Sequence, residues 1–142
     1  TVMVGFPGET KEEFEELMTF LEDNPFERLG AFVYSDEEGA PSERLDGKIP
    51  PKLKQSRFDQ LMQRQTEKAE ELSASLVGTK QEVLVEEAGL GGVYARTMWD
   101  APEVDCVVFI ADADVPPGTF LPVLITASDG LDLLGVIDES AK

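Results

Sequence analysis

The stretch Thr1-Val2-Met3-Val4-Gly5-Phe6-Pro7-Gly8-Glu9-Thr10 reads as the end of a strand, a turn and the cap of a helix. Residues 1–4 are an apolar, β-branched run, and Gly5, Pro7 and Gly8 supply a turn whose glycines admit backbone angles closed to other residues. Thr10 with Glu13 three residues on has the capping-box pattern, and Phe14, Leu17, Met18 and Leu21 then recur on one helical face. Asn24-Pro25 stops that helix, and residues 29–34 form a second short apolar run. Residues 1–34 therefore predict strand, helix, strand, the repeating unit of a parallel α/β sheet. Such a pair without neighbours exposes its hydrogen-bonding edges, so by itself it is expected to be poorly ordered or to pair non-natively.

Further along, residues 35–51 are polar, acidic and broken by Gly39, Pro41, Gly47, Pro50 and Pro51, which predicts a loop. Over 52–76, Leu53, Phe58, Leu61, Met62, Ala69, Leu72 and Leu76 recur near helical spacing, and Val77-Gly78 ends that long helix. After Gly78 the period changes. Residues 81–87, 93–99, 106–111, 120–126 and 131–137 are five strand candidates parted by Gly, Pro and Asp, which predicts a small closed or nearly closed β-barrel. The predicted division is 1–50 for the α/β portion, 51–77 for a connecting helix and 78–142 for the barrel.

Composition narrows the chemistry. No window approaches the roughly 18 uninterrupted apolar residues of a membrane span, and the first residues lack a basic flank and a cleavage site, so a cytoplasmic setting is expected. The single cysteine, Cys106, can form neither an internal disulfide nor a metal site, and the chain has no histidine for proton transfer near neutral pH. The formal charge is -17, with 17 acids and 9 bases over residues 1–77 and 12 acids and 3 bases over 78–142. Both portions are acidic: such a surface repels phosphate backbones and attracts cationic partners, although charge alone more simply reads as a solvated face that keeps the chain soluble.

Two loops carry residues that point to a ligand. Gly5 to Thr10 lies at the carboxyl end of a strand, where parallel α/β sheets bind their ligands. Its glycines let a small molecule approach the backbone and Glu9 offers an acceptor for an amine or hydroxyl, although a tight strand-to-helix connection needs the same residues. Tyr34-Ser35-Asp36-Glu37-Glu38-Gly39 follows the next strand; alone it reads as an acidic loop, but parallel neighbours would bring both loops to one edge. In the barrel portion, Tyr94, Arg96 and Trp99 would form an interaction surface if exposed. The simpler place for the Trp99 ring is the barrel core, and Cys106, at the start of an apolar strand, is expected to be buried and inert.

Val4-Gly5-Phe6-Pro7-Gly8-Glu9-Thr10, then an amphipathic helix and Phe32-Val33-Tyr34-Ser35-Asp36-Glu37-Glu38-Gly39, resembles the last two strands of the radical S-adenosylmethionine barrel in methylthiotransferases. The stretch after Gly78, with Ala95-Arg96-Thr97 close to the usual Gly-Arg-Thr, resembles the TRAM domain that closes those proteins. This resemblance covers nearly the whole chain. It implies the end of a TIM-like α/β barrel, a long linking helix and a five-stranded, OB-like antiparallel β-barrel. Glu37-Glu38 and the string Asp100-Ala101-Pro102-Glu103-Val104-Asp105 resemble members that modify an aspartate of a small-subunit ribosomal protein; the tRNA-modifying members tend to have an arginine in the first loop and a more basic TRAM domain. Ala40, Ala95 and Cys106 depart from the threonine, glycine and glycine usual at those places.

The resemblance implies that Gly5, Gly8, Glu9, Tyr34 and Ser35 line the adenosyl end of a cofactor pocket. Candidate substrate contacts are Arg96 and Trp99 on the barrel, with Asp100, Glu103 and Asp105 from the acidic string. It further implies S-adenosylmethionine and 4Fe-4S clusters in a longer parent protein. The three-cysteine motif that holds the cluster is absent here, so this chain is expected to bind neither cofactor and to be inactive alone, with no catalytic or metal-ligating residue assigned. The function implied is transfer of a methylthio group to a ribosomal-protein aspartate, the acidic TRAM domain recognising the basic substrate. The alternative is an RNA-binding TRAM module of a tRNA methylthiotransferase, for which Lys80, Arg96 and Lys142 are too few cations. A third reading is an acidic β-barrel adaptor with no tie to catalysis.

Overall fold

Thr10 caps the first helix as its sequence demands: its Oγ1 accepts from the Glu13 N–H at 3.1 Å, and Glu13 Oε2 accepts from the Thr10 N–H at 2.8 Å. The computed structural model describes residues 1–101 and 106–139, divided into two units, Thr1–Lys68 and Ala69–Lys142. In the first, helix α1 (Lys11–Asp23) joins strands β1 (Val2–Val4) and β2 (Ala31–Val33), which pair in parallel with Val2 opposite Ala31 and Val4 opposite Val33. This is the parallel strand-helix-strand unit that the sequence pattern predicts. Two three-residue strands and one helix cannot bury a core, and helix α2 (Pro51–Ser75) supplies the missing surface. Leu61 of α2, 1% exposed, packs with Val4 and Phe14, and Phe58 and Met62 close the cluster. The loop before α2 contains one short 3₁₀ turn, Pro41–Arg44.

In the second unit, Gly78 takes a φ of +84°, a left-handed angle that glycine adopts without strain, and donates its N–H to Ile125 O at 2.8 Å. Five strands follow: β3 (Lys80–Gly89), β4 (Gly92–Thr97), β5 (Val108–Ala111), β6 (Phe120–Asp129) and β7 (Asp132–Ile137). They close into a barrel in the order β3-β4-β5-β7-β6. Four of the pairings are antiparallel, but β5 and β7 run parallel, with Val108 opposite Leu133 and Ile110 opposite Gly135. The barrel is therefore mixed, not antiparallel as expected. The reason is parity, because directions cannot alternate all the way round a closed ring with an odd number of strands.

Alternation along the strands sends Val83, Val85, Val93, Ala95, Val108, Ile110, Val123, Ile125 and Leu133 inward, none more than 4% exposed. Register shifts between Val85 and Glu87 and between Ile125 and Ala127 tighten the curvature that so small a barrel needs. β5 starts at Val108, so Cys106 lies outside the strand predicted for it and is half-buried, not buried. No helix among the described residues is long and apolar enough to cross a membrane.

Gly135 shows how full the interior is: a Cβ there would stand 2.3 Å from Val123 Cγ1 and 3.5 Å from Val108 Cγ1. Gly135→Ala should therefore destabilise the barrel by about 1–3 kcal/mol through overpacking. Urea unfolding should show a lower midpoint at unchanged slope, and an unaltered midpoint would mean the interior has room that the packing denies.

Candidate functional site

Parallel pairing ends β1 and β2 side by side at Val4 and Val33, so the two loops singled out in the sequence leave the sheet at one edge. Gly5 turns with φ +75°, and a Cβ on it would meet Lys54 Cγ at 2.3 Å. Glycine is thus required there twice, by the angle and by the lysine stem that covers it. Gly8 faces open space, and its N–H donates to Gly47 O at 2.9 Å. Phe6, Pro7, Gly8, Glu9 and Glu13 line a wide-mouthed hollow of about 390 Å³.

Glu9 is less available than a free acceptor would be. Its Oε2 accepts from the Gly5 N–H at 3.0 Å, and its Oε1 accepts from Arg57 Nη1 at 2.5 Å. Arg57 also donates to the Glu9 carbonyl at 3.2 Å. The arginine side chain is 6% exposed and the glutamate 13%, so the pair is largely out of water and either partner would be costly to leave alone. Glu9 acts first by holding the shape of its own loop.

Tyr34 is buried, its hydroxyl donating to Asp36 Oδ1 at 2.9 Å and its ring meeting Phe6 edge-on at 5.3 Å. The ammonium groups of Lys48 and Lys54 lie 5.3 and 5.6 Å from that ring's centre, and Lys54 also donates to Tyr34 O at 2.8 Å. Ser35 is exposed, with its hydroxyl 3.3 Å from Glu37 Oε1. Lys48 pairs with Asp36; the ammonium and then the Tyr34 hydroxyl hold the aspartate below the ordinary carboxylate range, and the carboxylate raises Lys48 in turn.

The structure thus brings Gly5, Gly8, Glu9, Tyr34 and Ser35 to one edge. Sequence reasoning missed the cations that fix them, Lys48, Lys54 and Arg57. The available signal was spacing: Lys54, Arg57 and Leu61 share one face of a helix, and a cation that shares a face with a core leucine is placed to turn inward. The glycine turn and its hollow admit close approach of an organic ligand. The sequence's one cysteine supplies no thiolate set for an iron-sulfur cluster, and among the described residues no three His, Cys, Asp or Glu side chains gather around a metal position.

On the barrel, β4 ends in a hydrogen-bonded turn. Thr97 Oγ1 donates to Asp100 Oδ2 at 2.7 Å and accepts from the Trp99 N–H at 3.2 Å, while Arg96 Nη1 donates to Asp100 O at 3.0 Å. Asp100, 5% exposed, is a structural member of this turn. Trp99, 53% exposed, is not in the core expected for it, because the alternation that buries Val93, Ala95 and Thr97 stops where the turn begins. Glu103 and Asp105 lie outside the described residues.

Leu84, Arg96 and Phe120 stand abreast on β3, β4 and β6, and with Gln81, Glu82, Thr97 and Met98 they line a second hollow of about 270 Å³. Its signal in the sequence was Leu84, an apolar residue in the outward phase between Val83 and Val85. Both cations among the described barrel residues are ion-paired, Lys80 with Asp138 at 2.6 Å and Arg96 with Glu86 at 2.7 Å.

A TRAM domain family model matches residues 77–137. The ribosomal protein uS12 methylthiotransferase RimO of Thermosipho africanus is 44% identical over 143 residues, which take in 98% of this chain and 32% of that protein. Its namesake in Caldanaerobacter subterraneus is 43% identical over 136 residues, 95% of this chain and 31% of the other, and that of Clostridioides difficile is 42% identical over 137 residues, with the same coverage. The chain spans about a third of the length of the curated relatives it matches.

Arg57→Met leaves the Glu9 carboxylate largely buried with one hydrogen bond and should cost about 3–5 kcal/mol. Adding Glu9→Gln to Arg57→Met should restore part of that loss, and purely additive losses in urea unfolding would show that the two groups do not act as a pair. The lowered Asp36 value gives a second expectation. Ionised Asp36 favours the fold, so its contribution is complete above the unfolded carboxylate range and disappears as pH falls through the lowered folded value. Lys48→Met should flatten that acid limb in stability measured against pH.

Proposed function

The chain belongs to the radical S-adenosylmethionine methylthiotransferase family, RimO type, of whose members it spans about a third, and we propose that it serves in adding a methylthio group to an aspartate of a small-subunit ribosomal protein. On this reading residues 1–50 are the last strands of the catalytic α/β barrel, 51–77 the linking helix and 78–142 an OB-like TRAM domain that holds the substrate. Gly5, Gly8, Glu9, Tyr34 and Ser35 border the adenosyl end of S-adenosylmethionine when it is bound, Glu9 by keeping the glycine turn in shape. The 4Fe-4S clusters that supply the electron for cofactor cleavage belong to a longer parent protein, whose work is cytoplasmic because its substrate is ribosomal.

The observation that carries this reading is the charge of the barrel. Its described residues hold ten carboxylates against two cations, Lys80 and Arg96, and each cation already faces a carboxylate. Lys80 and Leu84, the neighbour of Arg96, are four residues apart on β3, roughly 13 Å at the rise of a strand. No positive groove spans that distance among the described residues, and phosphate binding draws its strength from such cations. A cationic polypeptide suits this surface, while RNA does not.

The test is direct binding of the chain to purified uS12 and to tRNA over a salt series. We expect uS12 to bind at low salt, weakening steadily as salt rises, with tRNA ignored. Tighter binding to tRNA would reverse the assignment.

A further inference from the structure

The hollow between β3, β4 and β6 has chemistry that general acidity does not explain. Its apolar lining is Leu84, Met98 and Phe120, and Met98 and Phe120 remain 77% and 64% exposed. Clustered exposed apolar groups on a small soluble barrel mark a contact surface. The hollow, about 270 Å³, has room for a side chain.

Charge decides which side chain. Arg96 lines one wall, but its guanidinium is occupied by Glu86 and by the Asp100 carbonyl. Glu82, two residues before Leu84 on β3, also lines the hollow and is exposed; its β6 neighbour is Pro122, which has no N–H to offer, and its carboxylate makes no ion pair or hydrogen bond among the described residues. The hollow therefore couples an apolar floor to one unsatisfied negative charge at its rim. A lysine or arginine side chain has the complementary form, an aliphatic stem ending in a cation.

Resting on the reading that the barrel holds a basic protein substrate, we propose that this hollow is the slot for one lysine or arginine side chain of that polypeptide, its stem against Leu84, Met98 and Phe120 and its charge on Glu82. The slot gives the otherwise diffuse acidic surface a fixed register on its partner.

The experiment measures binding of uS12 to the unaltered chain and to Glu82→Gln, Phe120→Ala, the double variant, and two controls on other parts of the barrel, Asp129→Asn and Leu134→Ala. All four altered positions are exposed, and an unchanged urea midpoint confirms that each variant folds. Glu82→Gln and Phe120→Ala should each weaken binding about tenfold, and the controls less than about twofold. The double variant should lose less than the product of the single losses, since one occupant makes both contacts. Equal weakening by Glu82→Gln and Asp129→Asn, with Phe120→Ala neutral, overturns the slot and leaves the acidic-surface reading standing. No binding by the unaltered chain, or displacement of uS12 by tRNA, overturns both.

Discussion

A ring of five strands must place two neighbours side by side in the same direction, and much of this barrel follows from where that junction falls. β4 reverses β3 and β5 reverses β4; β6 also reverses β3 and β7 reverses β6. Strands β5 and β7 therefore both run with β3, and closure sets them against each other. Once the ring is closed, no edge is left to template association, and each strand has a fixed inner and outer phase. Valine and isoleucine fill the inner phase, with Gly135 where Val123 needs the space. The outer phase is then free to carry recognition, and that is where Leu84, Arg96 and Phe120 come abreast.

The first unit rests on a different constraint. Two short strands with one helix are too small to shield a charged pair, yet Glu9 and Arg57 are largely buried. What makes this tolerable is that the glutamate is shared between a guanidinium and the Gly5 N–H, and that Leu61, one turn along α2, seals the apolar cluster. Such a pair adds little net stability over an apolar one of the same size, but it tolerates few alternative arrangements. Its value is geometric, since the loop that carries Gly5 and Gly8 is fixed from a residue 48 positions away.

That sequence distance also explains what could be read in advance. The capping box at Thr10, the periodicity of both helices, the five strand segments and the glycine turn are local signals, and they lie within a few residues of where the sequence puts them. Arg57 on Glu9, Lys54 over Gly5 and the cross-strand row of Leu84 and Phe120 depend on register between distant segments, which periodicity alone does not specify. Trp99 departs from the expected core position for an intermediate reason: the alternation of β4 ends two residues before it, where Thr97 and Asp100 hydrogen-bond and turn the chain. The antiparallel expectation failed by counting, because a closed barrel of five strands already excludes it.

Acidity alone cannot make a specific interface. Exposed carboxylates act through water, and beyond about 8 Å at physiological salt their attraction is largely screened, so they raise the rate of encounter with a basic protein without choosing its orientation. Orientation requires contacts that are made in one arrangement and lost in others, which on a small barrel means apolar side chains removed from water beside a charge that is satisfied only by docking. Phe120, Met98 and Leu84 next to an unsatisfied Glu82 meet that requirement, whereas Asp129 and Asp132, at the hairpin between β6 and β7, carry charge with no such floor in the same hollow. On the proposed reading the surface separates two tasks, with the many carboxylates bringing a cationic chain close and one hollow determining how it sits.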